Sequence, residues 1–443
     1  DPNGVQRIIE FREMVQSLSD MGLRVVMDVV YNHTSSFAQY DNSILDKIVP
    51  GYYHRRNGEG YVEMSSCCAN TASEHTMMEK LMRDSMKTWA TAYKVDGFRF
   101  DLMGHHSKQN ILNVASDLEA LTVEADGVDG SSMYLYGEGW NFGEVVDDAR
   151  FVQARQANMA GTVRGGNPFG GFEEQGFGTG LFTDSNGKFG GDDERATLLT
   201  LADKVRITLA GNLADYVLET SDGTELTGAE LVYNGQPTGY TADPQESINY
   251  VAAHDNETLF DGIQIKANST TSLADRVRLQ NFSTSLVMFA QGVPFIHAGQ
   301  EILRSKSMDR DSYNSGDWFN AIDFSLATDN WAAGLPIADK NEDKWTLMAP
   351  LLANPDIAPQ QADRAFALAV FKEWLQIRAS SGLFRLPTKE AVQSVVSFAN
   401  TGPEQIPGLI AMHLNDAAGD FDAETSQILV LFNGSAEAQE FTL

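Results

Sequence analysis

Leu23-Arg24-Val25-Val26-Met27-Asp28-Val29-Val30 is the stretch on which the fold turns. It is a short, valine-rich apolar run without polar alternation, which reads as a parallel strand buried on both faces. Asp28 is the anomaly in it. Upstream, Ile8, Phe11, Val15 and Leu18 recur at helical spacing, and Gly22 stops that helix. Downstream, a helix from about Ser73 to Tyr93 leads into Val95-Asp96-Gly97-Phe98-Arg99-Phe100-Asp101. Period-two geometry puts Arg99 and Asp101 on one face of this second strand and Phe98 and Phe100 on the other. A helix through Val114 to Leu121 then precedes Met133-Tyr134-Leu135-Tyr136, which ends at Gly137-Glu138-Gly139-Trp140. Helix and strand in alternation indicate stacked βα units on a parallel sheet. A charged pair pointing one way from a strand fits the mouth of a barrel. The separation of Asp101 and Glu138 fits one helical crossover, which a doubly wound sheet would accommodate equally.

From Val163 to about Tyr240 the chain is rich in Gly, Asp and Asn and reads as a long loop region with an embedded helix. The run Gly176-Phe177-Gly178-Thr179-Gly180 lacks the preceding strand and following helix that a phosphate-cradling loop requires. The βα rhythm resumes at Ile248-Asn249-Tyr250-Val251, at a helix from Leu279 to Phe289 followed by Val293-Pro294-Phe295-Ile296, and at a helix from Ala365 to Ile377. Beyond about Leu386 the character changes. Val392 to Phe398, Leu409 to Leu414 and Ile428 to Phe432, separated by turn residues, read as antiparallel strands. The expected domains are 1–386 and 387–443.

The 443 residues are 42% hydrophobic and 21% charged, enough for a sizeable core and outside the range of disordered or collagen-like chains. A formal charge of −29 repels polyanions, so nucleic acid is excluded as a partner, and solvation is the plain reading of that charge. Neutral substrates stay open. The two cysteines, Cys67 and Cys68, are adjacent. They exclude a disulfide framework and a four-cysteine metal site, and they read as ordinary thiols before a vicinal disulfide. No apolar run reaches the roughly 18 residues of a membrane span, and the Asp1-Pro2-Asn3-Gly4 start does not read as a signal peptide.

Polar residues recur at four strand ends: Asp28 with Asn32 and His33, Arg99 with Asp101, Glu138, and His254-Asp255-Asn256. Any one of them is best explained as a buried ion pair or a helix cap. Their recurrence points instead to a site assembled at the carboxyl ends of strands. Carboxylates with histidines and an arginine suit glycosidic cleavage, which needs one ionised carboxylate and one able to protonate the leaving oxygen. Arg99 is expected to hold Asp101 ionised, and an apolar wall of Trp140 and Phe142 to make Glu138 the acid. A metallohydrolase using His33, Asp28, His254 and Asp255 ranks below this, since only His105-His106 pairs histidines closely. No nucleophile elbow supports a Ser-His-Asp triad.

At these residues the chain resembles a known superfamily. Asp28-Val29-Val30-Tyr31-Asn32-His33, Gly97-Phe98-Arg99-Phe100-Asp101-Leu102-Met103-Gly104, Tyr136-Gly137-Glu138-Gly139-Trp140 and Val251-Ala252-Ala253-His254-Asp255-Asn256 are similar, in order, to the four signature regions of the α-amylase superfamily. Glu138 with Trp140, and the stretches Gln300 to Ser307 and Asp311 to Trp318, resemble type I pullulanases and limit-dextrinase-like debranching enzymes. The resemblance implies an α/β fold, a (β/α)8 TIM-type barrel followed by a C-terminal antiparallel β-sandwich. It implies retaining hydrolysis of α-1,6 branch bonds in pullulan, starch or glycogen dextrins. Asp101 is then the nucleophile, Glu138 the acid and later base, and Asp255 the group that grips sugar hydroxyls. His33, Arg99 and His254 line the subsite of the cleaved sugar. Asp28, which looks structural, and Trp140, for which core packing competes, complete the substrate-binding set. Retention implies about 5 to 5.5 Å between the Asp101 and Glu138 carboxyls.

No organic cofactor is expected. Asn32 matches a calcium-ligand position of many α-amylases, which makes calcium a candidate, with the remaining metal ligands unknown. The Asn32-His33-Thr34 sequon is discounted because a glycan there would block the site. Against the family pattern, the first barrel strands, a segment after Thr162 and part of the sandwich are expected to be missing. An α-1,6 branching transferase and a catalytically idle glucan-binding protein are the alternatives. A monomer acting on α-glucan, extracellular or on the surface of a microbe, is the expected setting.

Overall fold

In a computed structural model the chain is described over residues 3–162 and 192–442, apart from 234, 436 and the side chains of 192–197. It divides into two units, Asp1–Glu173 and Glu174–Leu443. The run 176–180 and the residue that follows Thr162 lie outside the described residues.

In the first unit the Asn3 side chain accepts the Gln6 amide and opens α1, Gly4–Asp20. Gly22, at φ 80°, ends it with amide bonds from Gly22 to the Ser19 carbonyl and from Leu23 to that of Leu18. The strand that follows, β1, is Val26–Val29. A short antiparallel pair, β2 (His33–Thr34) and β3 (Ala69–Asn70), sets His33 opposite Asn70. Next come α2 (Thr76–Tyr93), β4 (Gly97–Phe100), α3 (Lys108–Glu119) and β5 (Tyr134–Gly137). Helix α2 buries Met78, Met82, Met86 and Ala90, one turn apart, and the last three share a core with Phe98, Phe100, Val114 and Leu118. Each fully buried methionine contributes about 1.5–3 kcal/mol. The Ser107–Asn110 capping box starts α3.

The parallel sheet runs β1-β4-β5, with Asp28 beside Arg99 and Arg99 beside Tyr136. The expectation of a strand buried on both faces is corrected for 23–30. β1 is four residues long and leaves Val26 37% exposed, and Val30 after it is 53% exposed. It pairs only with β4 among the described residues. The glycine before Glu138 has a steric cause: a Cβ on Gly137 would lie 2.5 Å from the Phe100 carbonyl oxygen and 2.9 Å from Met103 Cβ.

The second unit contains α4 (Asp192–Leu209), β6 (Ile248–Asn249), α5 (Leu259–Lys266), α6 (Leu273–Phe289), β7 (Val293–Pro294) and α7 (Gln361–Ser380). β6 and β7 pair in parallel. α8 (Lys389–Val395) and the strands β8 (Val396–Ala399), β9 (Leu409–Asn415) and β10 (Gln427–Asn433) close the unit, with β9 central in an antiparallel sheet. Residues 392–395 were expected in a strand. They are helical because Thr388 caps the Ala391 amide, and Ala391, Val392 and Val395 then face one core. That core also takes Ile410, Met412, Leu414 and Phe432 from the sheet and Leu286 and Phe289 from α6. The α/β class is as expected, and no closed barrel occurs among the described residues.

Candidate active site

β4 ends at Phe100, with Phe98 and Phe100 fully buried on the core side. Arg99 therefore faces the other way. Its Nη1 lies 2.9 and 3.1 Å from the two carboxylate oxygens of Asp28, and its Nη2 lies 2.5 Å from Glu138 Oε1. Asp101 Oδ1 is farther off, at 3.7 Å from Nη1. Side-chain exposure ranks these partners: Arg99 4%, Glu138 3%, Asp101 14% and Asp28 53%. The strongest pair is thus Arg99–Glu138, whereas the sequence pointed to Arg99–Asp101. A carboxylate oxygen of Asp101 lies within 4.8 Å of one of Glu138.

Two further groups complete this cluster. The Leu102 amide donates to Glu138 Oε2 at 2.9 Å, from a residue held at φ 41°. A non-glycine residue in that region stores on the order of 1–3 kcal/mol and is a common mark of functional sites. Asn32 Nδ2 donates to Asp101 Oδ2 at 3.1 Å and lies 2.9 Å from His33 Nδ1. Asn32, His33 and Asp101 thus form one chain of contacts. Burial pushes the His33 imidazole below its ordinary value, against the pull of the Asp101 charge. The Glu138 carboxylate meets the Arg99 guanidinium and the Leu102 backbone amide. Trp140 is half-buried, and the Phe142 ring packs on His105 at 4.7 Å between centroids.

Asn32 Oδ1, the atom that would bind calcium, is buried without a hydrogen-bond partner, while its Nδ2 meets the Asp101 carboxylate and the His33 imidazole.

In the same unit buried Arg55 gathers a polar network. Arg55 donates to Glu74 at 3.0 and 2.8 Å, to Glu144 at 2.7 Å and to the His105 carbonyl at 3.0 Å. Burial alone would raise the Glu144 carboxyl, but Ser65 and Arg55 hold it down at about 2. His105 and His106 are buried and stay neutral, lowered by desolvation to about 4 and about 3.

In the second unit His254 Nε2 lies 3.4 Å from Asp255 Oδ1, and both side chains are about half exposed. Their turn is pinned at Asn256, which stands at φ 59°. The Asn256 amide donates to Asp311 at 3.0 Å, its side-chain oxygen accepts from Arg310 at 2.8 Å, and its carbonyl accepts from Lys306 Nζ at 3.1 Å. Lys306 is held in turn through its amide by Asp261, at 2.7 Å. Desolvation raises Asp261 to about 6 despite bonds from Ser305 and Lys306. The stretches 300–307 and 311–318, first noted as family marks, therefore contribute the residues that shape the His254–Asp255 turn.

Parallel βα units with carboxylates at strand ends, in four ordered motifs, place the chain in the α-amylase superfamily. Within it the chain belongs to the pullulanase family. Residues 326–443 match the family described as "Alpha-1,6-glucosidases, pullulanase-type, C-terminal". The chain is 48% identical to the chloroplastic Pullulanase 1 of Arabidopsis thaliana, over 100% of this chain and 48% of that protein. It is 42% identical to a Klebsiella pneumoniae pullulanase, over 99% of this chain and 41% of the relative. The crystal structure of a maltotriose complex of PulA from Klebsiella pneumoniae superposes with a TM-score of 0.89 at 39% identity, covering 99% of this chain and 48% of that one. The chain spans about half the length of the curated relatives it matches.

Proposed function

We propose that this chain carries the catalytic residues of an α-1,6-glucan debranching hydrolase that works by double displacement with retention. Asp101 attacks the anomeric carbon while Glu138 protonates the departing O6. The glucosyl ester on Asp101 is then released by water that Glu138 deprotonates. Asp255 grips ring hydroxyls, and His33, Arg99, His254 and Trp140 line the cleaved sugar's subsite, with Asp28 anchoring Arg99. The observation that carries the reading is the spacing of Asp101 and Glu138, within 4.8 Å. Retaining pairs stand about 5–5.5 Å apart and inverting pairs about 6.5–9.5 Å.

The same proposal takes the parallel strands as part of a (β/α)8 barrel over 1–386 and the C-terminal strands as part of a β-sandwich over 387–443. It takes the enzyme as a monomer acting outside a microbial cytoplasm, for which the net charge of −29 is the support. A chloroplastic relative at 48% identity sets a plastid beside that location.

Incubating a protein that carries this chain with pullulan and, separately, with amylose tests the activity. Maltotriose from pullulan with amylose intact is expected. Cleavage of amylose moves the assignment to an amylase, and new branches without net hydrolysis move it to a transferase.

A further inference from the structure

Cys67 and Cys68 are joined as a vicinal disulfide in this structure rather than standing as two thiols. The bond sits against His33. Cys67 Sγ lies 3.6 Å from His33 Nε2, and a ring nitrogen of His33 and both sulfurs fall within 4.8 Å of one another. We propose that this trio is a redox-gated site for a thiophilic divalent cation, closed while the disulfide stands and open once it is reduced.

The geometry supports this in two respects. Zinc–sulfur and zinc–nitrogen bonds of about 2.3 and 2.0 Å at a tetrahedral angle separate the two ligand atoms by about 3.5 Å. The Cys67–His33 separation is already that of one edge of such a site. The other edge is what the disulfide denies, because bonded sulfurs stand about 2 Å apart, whereas two zinc thiolates stand about 3.8 Å apart. Reduction frees that edge and creates the thiolates that bind metal, which the disulfide sulfurs do not.

The scaffold is in place on both sides. His33 is held opposite Asn70 by the β2–β3 pair. Asn32 Nδ2 donates to His33 Nδ1 at 2.9 Å, so the proton sits on Nε2; metal binding at Nε2 moves it to Nδ1 and turns the Asn32 amide away, leaving Ser66 Oγ, 3.3 Å from Nδ1 and donating to Asn70 Oδ1 at 2.5 Å, as the acceptor. Cys67 is exposed and Cys68 half-buried, which gives a cation access. The chain's net charge of −29 draws cations to it.

The balance is simple. A phosphine reductant gives two electrons to the S–S bond, and one water supplies two protons to the thiols and its oxygen to the phosphorus. A dithiol would supply the same two electrons and two protons and end as a disulfide. Cation binding then releases the two thiol protons.

The test titrates Zn2+ into the chain, oxidised and phosphine-reduced, against a chromophoric chelator, and repeats the titration with Co2+ to read thiolate-to-metal charge transfer. One additional equivalent of Zn2+ per reduced chain is expected, with charge-transfer bands for Co2+ that the oxidised chain lacks. Cys68→Ser should weaken binding about a hundredfold or more and His33→Ala about tenfold or more. Carboxylate binding is common to both redox forms, so the comparison of forms needs no variant to be interpretable. Equal stoichiometry in the two forms, absence of the charge-transfer bands, or unchanged affinity in His33→Ala overturns the proposal.

Discussion

Replacing Arg99 with Met tests whether the Arg99–Glu138 pair organises the carboxylate cluster. The magnitude follows from burial. Arg99 and Glu138 are 4% and 3% exposed with 2.5 Å between their charged atoms, whereas Asp28 is 53% exposed. The Asp28 contact should therefore contribute at most about 1 kcal/mol, as exposed pairs do. Removing one partner of a buried pair costs about 3–5 kcal/mol, because the other charge is left in a low-dielectric setting. Hydrogen exchange at the Phe98 to Phe100 amides reads this directly within the first unit. Protection there should fall roughly a hundred- to several-thousand-fold, at about 1.4 kcal/mol per factor of ten. In a Glu138→Gln background the same change should cost at least about 1 kcal/mol less, since the stranded charge is gone. A loss below about 1 kcal/mol in the unmodified background refutes the reasoning, for it would rank the pair with surface ion pairs.

Three more expectations can be measured in the same protein. Asp101→Asn should lower kcat/KM on pullulan about a thousandfold or more, some 4 kcal/mol, while maltotriose binding by calorimetry stays within about threefold; retained turnover removes Asp101 from the nucleophile role. Glu138→Gln should cost about 10²–10⁴-fold where the leaving oxygen needs a proton and far less in the first step with a glycosyl fluoride; equal losses on both substrates point to a structural role instead. Acid should weaken the first unit. Unfolded histidines take up protons below about 6.5, whereas folded His105 and His106 refuse them until about 4 and about 3, so their stabilisation is full above 6.5 and falls as pH drops toward 4. At pH 5 each costs about 2 kcal/mol, and His106→Leu, which removes a buried ring whose nitrogens have no hydrogen-bond partner, should flatten the exchange-versus-pH curve.

Much of the fold follows from spacing. Phe98 and Phe100 alternate with Arg99, and that alternation was enough to separate the core side of β4 from the site side. Met82, Met86 and Ala90 fall on one face of α2 by helical period alone. The misreadings have local causes. The 23–30 run carries the composition of a covered strand, whereas among the described residues β1 pairs with β4 alone and Val26 is 37% exposed. Val392 to Val395 has strand propensity, which the Thr388 cap and the shared core override. At the site, charge pairing is where sequence order misleads most. Arg99 is two residues from Asp101, yet strand register brings Asp28 and Glu138 closer to its guanidinium. Leu102 stood in the second motif with no role attached, because it acts through its backbone amide. Asn32 stood in the right motif with another role attached, and only its side-chain orientation joins it to Asp101.

The central claim is that Asp101 forms the covalent intermediate. In a Glu138→Gln protein given α-maltotriosyl fluoride, the first step needs no acid and the second lacks its base, so a glycosyl ester should accumulate. Acid quenching, proteolysis and mass spectrometry should then find the added trisaccharide on the peptide that contains Asp101. An adduct on a different carboxylate, or release of fluoride with product and no adduct at any time point, would contradict the account.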